Sequence, residues 1–131
     1  MVEDFEPWRR FVVSLLREKK PEWQVVGEIS DGLEAVEKAK ELRPDLILLD
    51  IGLRNLNGIQ AARQIRRLIP ESRIVFVSQE TSADVVAEAL SLGAQGYVLK
   101  IRAGCDLLIA MEAVLEGRQF VSCDLTADEA S

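Results

Sequence analysis

Apolar residues recur along this chain at two spacings that alternate from one end to the other. Short runs rich in branched aliphatic side chains predict strands over residues 23–29, 45–50, 73–78 and 96–100. Apolar residues at helical spacing predict helices over about residues 7–20, 33–42, 58–69, 81–92 and 107–115. Strands that alternate with helices in this way favour a parallel sheet covered by helices on both faces.

The run at residues 45–50 places four consecutive apolar residues directly before Asp50. An uninterrupted run of this length is typical of a strand that is buried on both faces. In an open parallel sheet the carboxyl ends of the strands face the crevice where ligands bind, so Asp50 is a candidate for chemistry. For a single residue taken alone, an Asp that caps a turn is the more common explanation.

Three further strand ends carry polar groups, namely Glu3-Asp4, Ser78 and Lys100. Carboxylates without histidine suit a hard cation such as Mg2+, with Asp4 and Asp50 as its side-chain ligands. An ammonium group and a hydroxyl group suit phosphoryl oxygens, and a carboxylate can accept a phosphoryl group as an aspartyl phosphate. The pattern therefore indicates phosphoryl transfer onto Asp50. Each residue also has an ordinary explanation as a turn residue, solvated strand end or helix cap, but four such coincidences are much less common than one.

Composition narrows the possible classes of protein. A chain of 131 residues, 48% of them hydrophobic, fits one globular domain without a membrane span. The acidic start does not resemble a signal peptide, so we expect a cytoplasmic protein. A net charge of -6 argues against binding of the phosphate backbone of a nucleic acid by this segment. The chain has no histidine, and Cys105 and Cys123 have no metal-ligand spacing, which leaves zinc sites and disulfide frameworks without support.

The same residues resemble the receiver domain of two-component response regulators over nearly the whole chain. The resemblance rests on the acidic pair, on the LILLD run that ends at Asp50, on the turn at residues 56–58, on Ser78 after IVFV and on GYVLK at residues 96–100. The GYVLK segment and the final helix are most similar to receivers that precede a LuxR-type helix-turn-helix. We place the receiver domain at residues 1–117 and the start of a linker or tail at residues 118–131.

The resemblance implies a flavodoxin-like fold with five parallel strands in the order 2-1-3-4-5. It implies that Asp50 is the phosphoacceptor, that Lys100 pairs with a phosphoryl oxygen, and that Ser78 and Tyr97 form the switch. Glu3, Asp4, Asp50 and the backbone carbonyl of Gly52 would surround the Mg2+ ion. The expected partners are a histidine kinase, a second copy in a homodimer, and DNA only through an output domain that this chain does not contain.

The chain departs from the family pattern in four places, one of which is Glu3 in place of the more common first aspartate. Only Met1 and Val2 precede the acidic pair. We expect one of three outcomes: a shortened first strand with unpaired backbone groups beside it, a partner chain that fills the gap, or a rearranged amino terminus. Arg54 and Ile101 stand where many receivers have proline. Since a cis bond before a residue other than proline costs about 3 kcal/mol, we expect a trans bond before Ile101.

Two alternative functions remain open from the sequence. A phosphatase of the haloacid dehalogenase type also forms an aspartyl phosphate, but it carries a second Asp two residues after the first, where this chain has Gly52. A pseudo-receiver would keep the fold as a protein-interaction module and accept no phosphoryl group. We favour the working receiver, which is a signalling module and not an enzyme.

Overall fold

The computed structural model describes residues 1–53 and 57–122. Within these two ranges, five helices and four strands follow one another: α1 Glu6–Lys19, α2 Gly32–Leu42, β1 Leu46–Asp50, α3 Gly58–Leu68, β2 Arg73–Ser78, α4 Ala83–Ser91, β3 Gly96–Leu99, α5 Ala103–Leu115 and β4 Phe120–Val121, with a 3-10 turn at Lys100–Arg102. The positions of the five helices agree with the sequence prediction. Among the described residues, no helix is both long and apolar enough to cross a membrane.

The strands form one parallel sheet in the order β1-β2-β3-β4. Alternate residues of the central strands face two separate clusters of buried side chains, because successive side chains of a strand point to opposite faces. Ile47 and Leu49 pack with α2, α3 and α4, whereas Leu48 packs with α1 and α5. The predicted doubly wound α/β fold is therefore confirmed.

The number of strands differs from the prediction at the amino-terminal side of the sheet. Val2 forms isolated bridges to Ile29 and Leu49, in place of a first strand. The strand predicted over residues 23–29 is wrong for most of its length, since only Ile29 pairs. A continuous strand needs a partner along its length, and the bridge between Val2 and Ile29 is isolated. The pairing order, Ile29 to Val2 to β1 and onward, still follows 2-1-3-4-5.

The carboxyl-terminal side of the sheet is longer than predicted. Phe120 and Val121, assigned from the sequence to a linker, form β4 and pair with β3. Ser122 is fully buried, and its Oγ accepts a hydrogen bond of 3.0 Å from the Leu99 N–H. Residues 123–131 of the predicted linker, which include Cys123, lie outside the described residues, as does Arg54.

A groove lies where the shortened first strand leaves the sheet open. It has a volume of about 550 Å³ and lies between residues 22–27 and residues 44–48. The ammonium group of Met1 donates a hydrogen bond of 3.0 Å to the Gly27 carbonyl at one end of this groove. Val2 donates to the Leu48 carbonyl at 2.8 Å and accepts from the Asp50 N–H at 3.1 Å. These two backbone hydrogen bonds of Val2 join it to β1.

Candidate functional site

Asp50 is the last residue of β1, and close packing below it fixes its position. Its side chain is mostly buried, and the Gly52 N–H donates to its Oδ1 at 3.4 Å. Helix α3 begins directly against this turn, with the Asn57 side chain as its cap. A Cβ atom on Gly58 would lie 2.1 Å from the Asp50 carbonyl oxygen, so only glycine fits there. The backbone that carries Asp50 is thus held by both the sheet and the start of α3.

Three carboxylates converge at the end of β1. One oxygen from each of Glu3, Asp4 and Asp50 lies within 4.8 Å of the others. The bridges of Val2 set the place of Glu3, whose N–H donates to the Ile29 carbonyl at 2.8 Å. Glu3 Oε2 also accepts a hydrogen bond of 3.1 Å from the Phe5 N–H. The predicted acidic residues therefore meet in one cluster, although they come from distant parts of the sequence.

Lys100 supplies the positive charge beside this cluster. Its Nζ lies 2.7 Å from Glu3 Oε1 and 3.6 Å from Asp50 Oδ2, and its side chain is 15% exposed. The peptide bond before Ile101 is trans, as expected, since the described residues include no cis bond. The ammonium group of Lys100 therefore contacts two of the three carboxylates, those of Glu3 and Asp50.

Burial raises the pKa of the Glu3 carboxyl, and the negative charge of Asp50 acts in the same direction. The interaction with Lys100 lowers that pKa and opposes the effect of burial. Glu3 Oε1 is buried and makes no well-aligned hydrogen bond within the described residues, despite its close ion pair with Lys100. A carboxylate in this environment is stabilised by a nearby cation.

The cluster fits a magnesium ion on chemical grounds. Mg2+ prefers hard oxygen ligands and is typically bound by one or two carboxylates together with water and phosphate oxygens. Glu3, Asp4 and Asp50 offer such oxygens within a short distance of one another. The contribution of the Gly52 carbonyl stays a prediction.

Ser78 and Tyr97 form a second group that is joined through Glu80. Ser78 Oγ accepts a hydrogen bond of 3.0 Å from the Glu80 N–H, and the Tyr97 hydroxyl donates to the Glu80 carbonyl at 2.9 Å. Tyr97 is fully buried, and burial raises the pKa of its hydroxyl, while a hydrogen bond with Ser78 acts in the opposite direction. The predicted switch residues are therefore in contact, and Tyr97 occupies an inward position.

The sequence analysis missed two members of this neighbourhood. Trp8 has the helical spacing of a core residue and does pack on the cluster between α1 and α5. Its ring also faces Lys100, with the Nζ 5.4 Å from the ring centroid. Glu80 contributes its backbone N–H and carbonyl, and such backbone contacts leave no pattern in the sequence. The only signal for Trp8 is its place in the first turn of the helix that follows Glu3 and Asp4.

Comparison with known proteins gives a family for this arrangement. The profile of the response regulator receiver domain matches residues 1–112. The chain is 37% identical over 123 residues to the nitrate/nitrite response regulator protein NarL of Escherichia coli, which covers 94% of this chain and 57% of NarL. It is 38% identical over 129 residues to the protein-glutamate methylesterase/protein-glutamine glutaminase of Thermotoga maritima, which covers 95% of this chain and 37% of that enzyme.

Solved structures agree with these matches. A two-component response regulator of the LuxR family from Aurantimonas sp. SI85-9A1 superposes with a TM-score of 0.92 at 32% sequence identity, covering 98% of this chain and 91% of that chain. The chain spans about half the length, or less, of the two relatives named above. From the profile match, these relatives and the shared fold, we conclude that the chain belongs to the response regulator receiver domain family.

Proposed function

We propose that Asp50 accepts a phosphoryl group from a histidine kinase and that this reaction requires Mg2+. The observation that carries the proposal is the cluster of Glu3, Asp4 and Asp50 beside Lys100 at the carboxyl end of β1. A buried carboxylate that lies next to both a cation site and an ammonium group is suited to attack an electrophilic phosphorus atom.

In the proposed reaction an Asp50 carboxylate oxygen attacks the phosphorus atom of a phosphohistidine. The bond between phosphorus and the histidine nitrogen breaks, and the nitrogen leaves with the electron pair of that bond. Glu3, Asp4, Asp50 and the Gly52 carbonyl would hold Mg2+, which neutralises negative charge on the transferred group when it is bound. Lys100 contributes an ammonium group within reach of a phosphoryl oxygen, since its Nζ lies 3.6 Å from Asp50 Oδ2.

The signal would pass from Asp50 to the pair of Ser78 and Tyr97. A phosphoryl group on Asp50 offers new acceptor oxygens, which favour a hydrogen bond from the Ser78 hydroxyl. Ser78 Oγ now accepts from Glu80, whose carbonyl holds Tyr97, so a change at Ser78 alters the support of the Tyr97 ring. The surface formed by α4, β3 and α5 would respond, because Tyr97 belongs to β3 and packs in the cluster that includes α4.

The receiver would act by changing an interaction and would not turn over a substrate. We expect a cytoplasmic protein that forms a homodimer and controls transcription, with any DNA contact made by an output domain joined to this receiver. The net charge of -6 supports this division of labour, because an acidic receiver is a poor binder of DNA phosphates.

The proposal is tested by phosphorylation with acetyl phosphate in the presence of Mg2+. We expect intact-mass analysis to show one added phosphoryl group, which is lost in Asp50→Asn and when the metal is chelated. Asp45→Asn is the matched control, because Asp45 is exposed at the opposite end of the same strand. Labelling that persists in Asp50→Asn would refute the assignment, absence of labelling in the wild type would favour a pseudo-receiver, and turnover of a phosphomonoester would favour the phosphatase.

A further inference from the structure

Trp8 lies in the first turns of α1 and forms a wall of the site. Its ring lies over the Lys100 ammonium group, with 5.4 Å between Nζ and the ring centroid, which is within the usual range of a cation–π contact. Trp8 also lines a small cavity of about 10 Å³ together with Glu3, Asp50 and Val77. The indole ring therefore belongs to the same space as the acidic cluster.

The neighbours of Trp8 restrict the position of its ring. Its centroid lies 5.2 Å from that of Phe11 in a tilted arrangement, and its side chain packs on the buried cluster between α1 and α5. Arg9, the next residue of the helix, donates a hydrogen bond of 2.9 Å to the Glu3 carbonyl and so ties this part of α1 to the acidic segment. The ring is thus placed relative to Glu3 by contacts on both sides.

Lys100 is in contact with three electron-rich groups, the carboxylates of Glu3 and Asp50 and the face of Trp8. The two carboxylates are predicted metal ligands. A divalent cation between them would repel an ammonium group that lies 2.7 Å from Glu3 Oε1. Within the described ranges, the Trp8 face is the electron-rich surface near Lys100 that a metal ion would not occupy.

We propose that Trp8 is a positioning residue, whose indole face holds the Lys100 ammonium group beside Asp50 when Glu3 and Asp50 bind a divalent cation. This inference rests on the proposed function, and it assigns a role in the site to a residue that the helical pattern places in the core. Lys100 then stays near the attacking carboxylate, although its shortest ion pair in this structure, with Glu3, is lost. The side chain at position 8 therefore sets how well the ammonium group meets the incoming phosphoryl group.

A spectroscopic experiment tests the contact without phosphorylation. Trp23→Phe leaves Trp8 as the single tryptophan, because the chain has only two. We expect Mg2+ to change the Trp8 fluorescence in a saturable manner, since the ammonium group moves relative to the ring. Lys100→Met in the same background removes most of that change. A response of equal size with Lys100→Met, or no response to bound Mg2+ in the Trp23→Phe protein, would overturn the inference.

A kinetic experiment separates positioning from packing. The loss of a cation–π contact predicts that Trp8→Leu accepts a phosphoryl group from acetyl phosphate roughly 2- to 20-fold more slowly at saturating Mg2+. Trp8→Phe keeps an aromatic face and should remain within about twofold of the wild type. Trp23→Phe is the control, because Trp23 contacts Lys20 and not Lys100. Urea unfolding of each variant shows that the measured protein is folded.

Two kinetic results would overturn the inference, a wild-type rate for Trp8→Leu and a rate for Trp8→Phe as low as that of Trp8→Leu. If the wild-type protein accepts no phosphoryl group, the proposed function fails. The fluorescence titration with Mg2+ then still decides the role of Trp8, because a response that depends on Lys100 supports the contact and one that does not overturns it.

Discussion

The sheet is paired much more extensively on the β2 side of β1 than on the side that faces Val2 and Ile29. β2 pairs with β1 through five residues and with β3 through four. On the other side of β1, Val2 joins Leu49 to Ile29 through isolated bridges in the described part of the chain. The candidate site draws on both sides: Asp50 and Ser78 end paired strands and Lys100 follows one, while Glu3 and Asp4 follow Val2. The acceptor and switch residues thus depend on the sheet core, and two of the three acidic ligands depend on one bridging residue.

Truncation of one buried side chain on each side should separate global stability from metal affinity. Phe76→Ala removes a fully buried ring from β2 and should lower the free energy of unfolding by about 3–5 kcal/mol. Val2→Ala removes less apolar surface and should cost about 1–2 kcal/mol, yet it should weaken Mg2+ binding more than Phe76→Ala does. Urea unfolding and Mg2+ titration of the folded proteins measure the two effects. Equal losses of Mg2+ affinity would contradict the comparison.

The buried amino terminus should make stability depend on pH. Burial lowers the pKa of the Met1 amino group from 8.0 to about 6, and the charge of Glu28 opposes this effect. The unfolded chain therefore binds more protons than the folded chain between pH 6 and 8. The free energy of unfolding should rise across this window, by about 2 to 3 kcal/mol for two pKa units.

Urea unfolding between pH 5.5 and 8.5 measures this slope, and no histidine contributes to it. The control is the same protein with an acetylated amino terminus, which should lack the rise. The raised pKa of Glu3 acts with the opposite sign, because stability falls as pH rises through it, but it is present in both proteins. An equal slope in the acetylated protein would contradict the burial of the Met1 ammonium group.

Filling the groove should make the two sides of the sheet more alike. An engineered extension of four apolar residues, Ile-Leu-Val-Ile, ahead of Met1 would lie between residues 22–27 and 44–48 and supply backbone partners to both. Added hydrogen bonds and apolar burial should raise the free energy of unfolding by about 2 kcal/mol. A Gly-Ser-Gly-Ser extension is the control for length. If the two extensions have the same stability, the groove does not accept a strand.

The smallest expected effect concerns the switch residues. Tyr97→Phe removes the hydrogen bond to the Glu80 carbonyl and should lower the free energy of unfolding by about 1 kcal/mol. Since Tyr97 belongs to the well-paired side, Mg2+ affinity should not change. Urea unfolding and Mg2+ titration check both statements, and a loss of Mg2+ affinity would show that the two groups of the site are coupled before phosphorylation.

Most of the fold was predictable because the helices and the central strands have strong local patterns. The run from Leu46 to Leu49 is apolar on both faces, and α3 carries both of its signals, the Asn57 cap and Gly58. The predictions failed where pairing between strands decides whether a segment becomes a strand. Residues 23–29 have the composition of a strand but lack a continuous pairing partner. Phe120 and Val121 form too short an apolar run to predict a strand, and they become one by pairing with β3.

The candidate site was predictable as a set of residues, since the carboxyl ends of parallel strands meet at one edge. The ion pair between Glu3 and Lys100 and the link from Ser78 through Glu80 to Tyr97 were not, because contacts between residues distant in sequence, or through the backbone, carry no sequence period. The role of Trp8 was also not predictable from the sequence. Its helical spacing indicates packing, and only the structure reveals the cation above its ring.

The central claim is that Glu3, Asp4 and Asp50 bind one divalent cation at the carboxyl edge of the sheet. Mn2+ in place of Mg2+ tests it directly, because a bound paramagnetic ion broadens the NMR signals of nearby backbone amides. We predict broadening at Glu3, Asp50 and Lys100, with sharp signals at the opposite end of the strands, at Arg73 and Gly96. Broadening centred elsewhere, or equal broadening in an Asp50→Asn protein, would contradict the account.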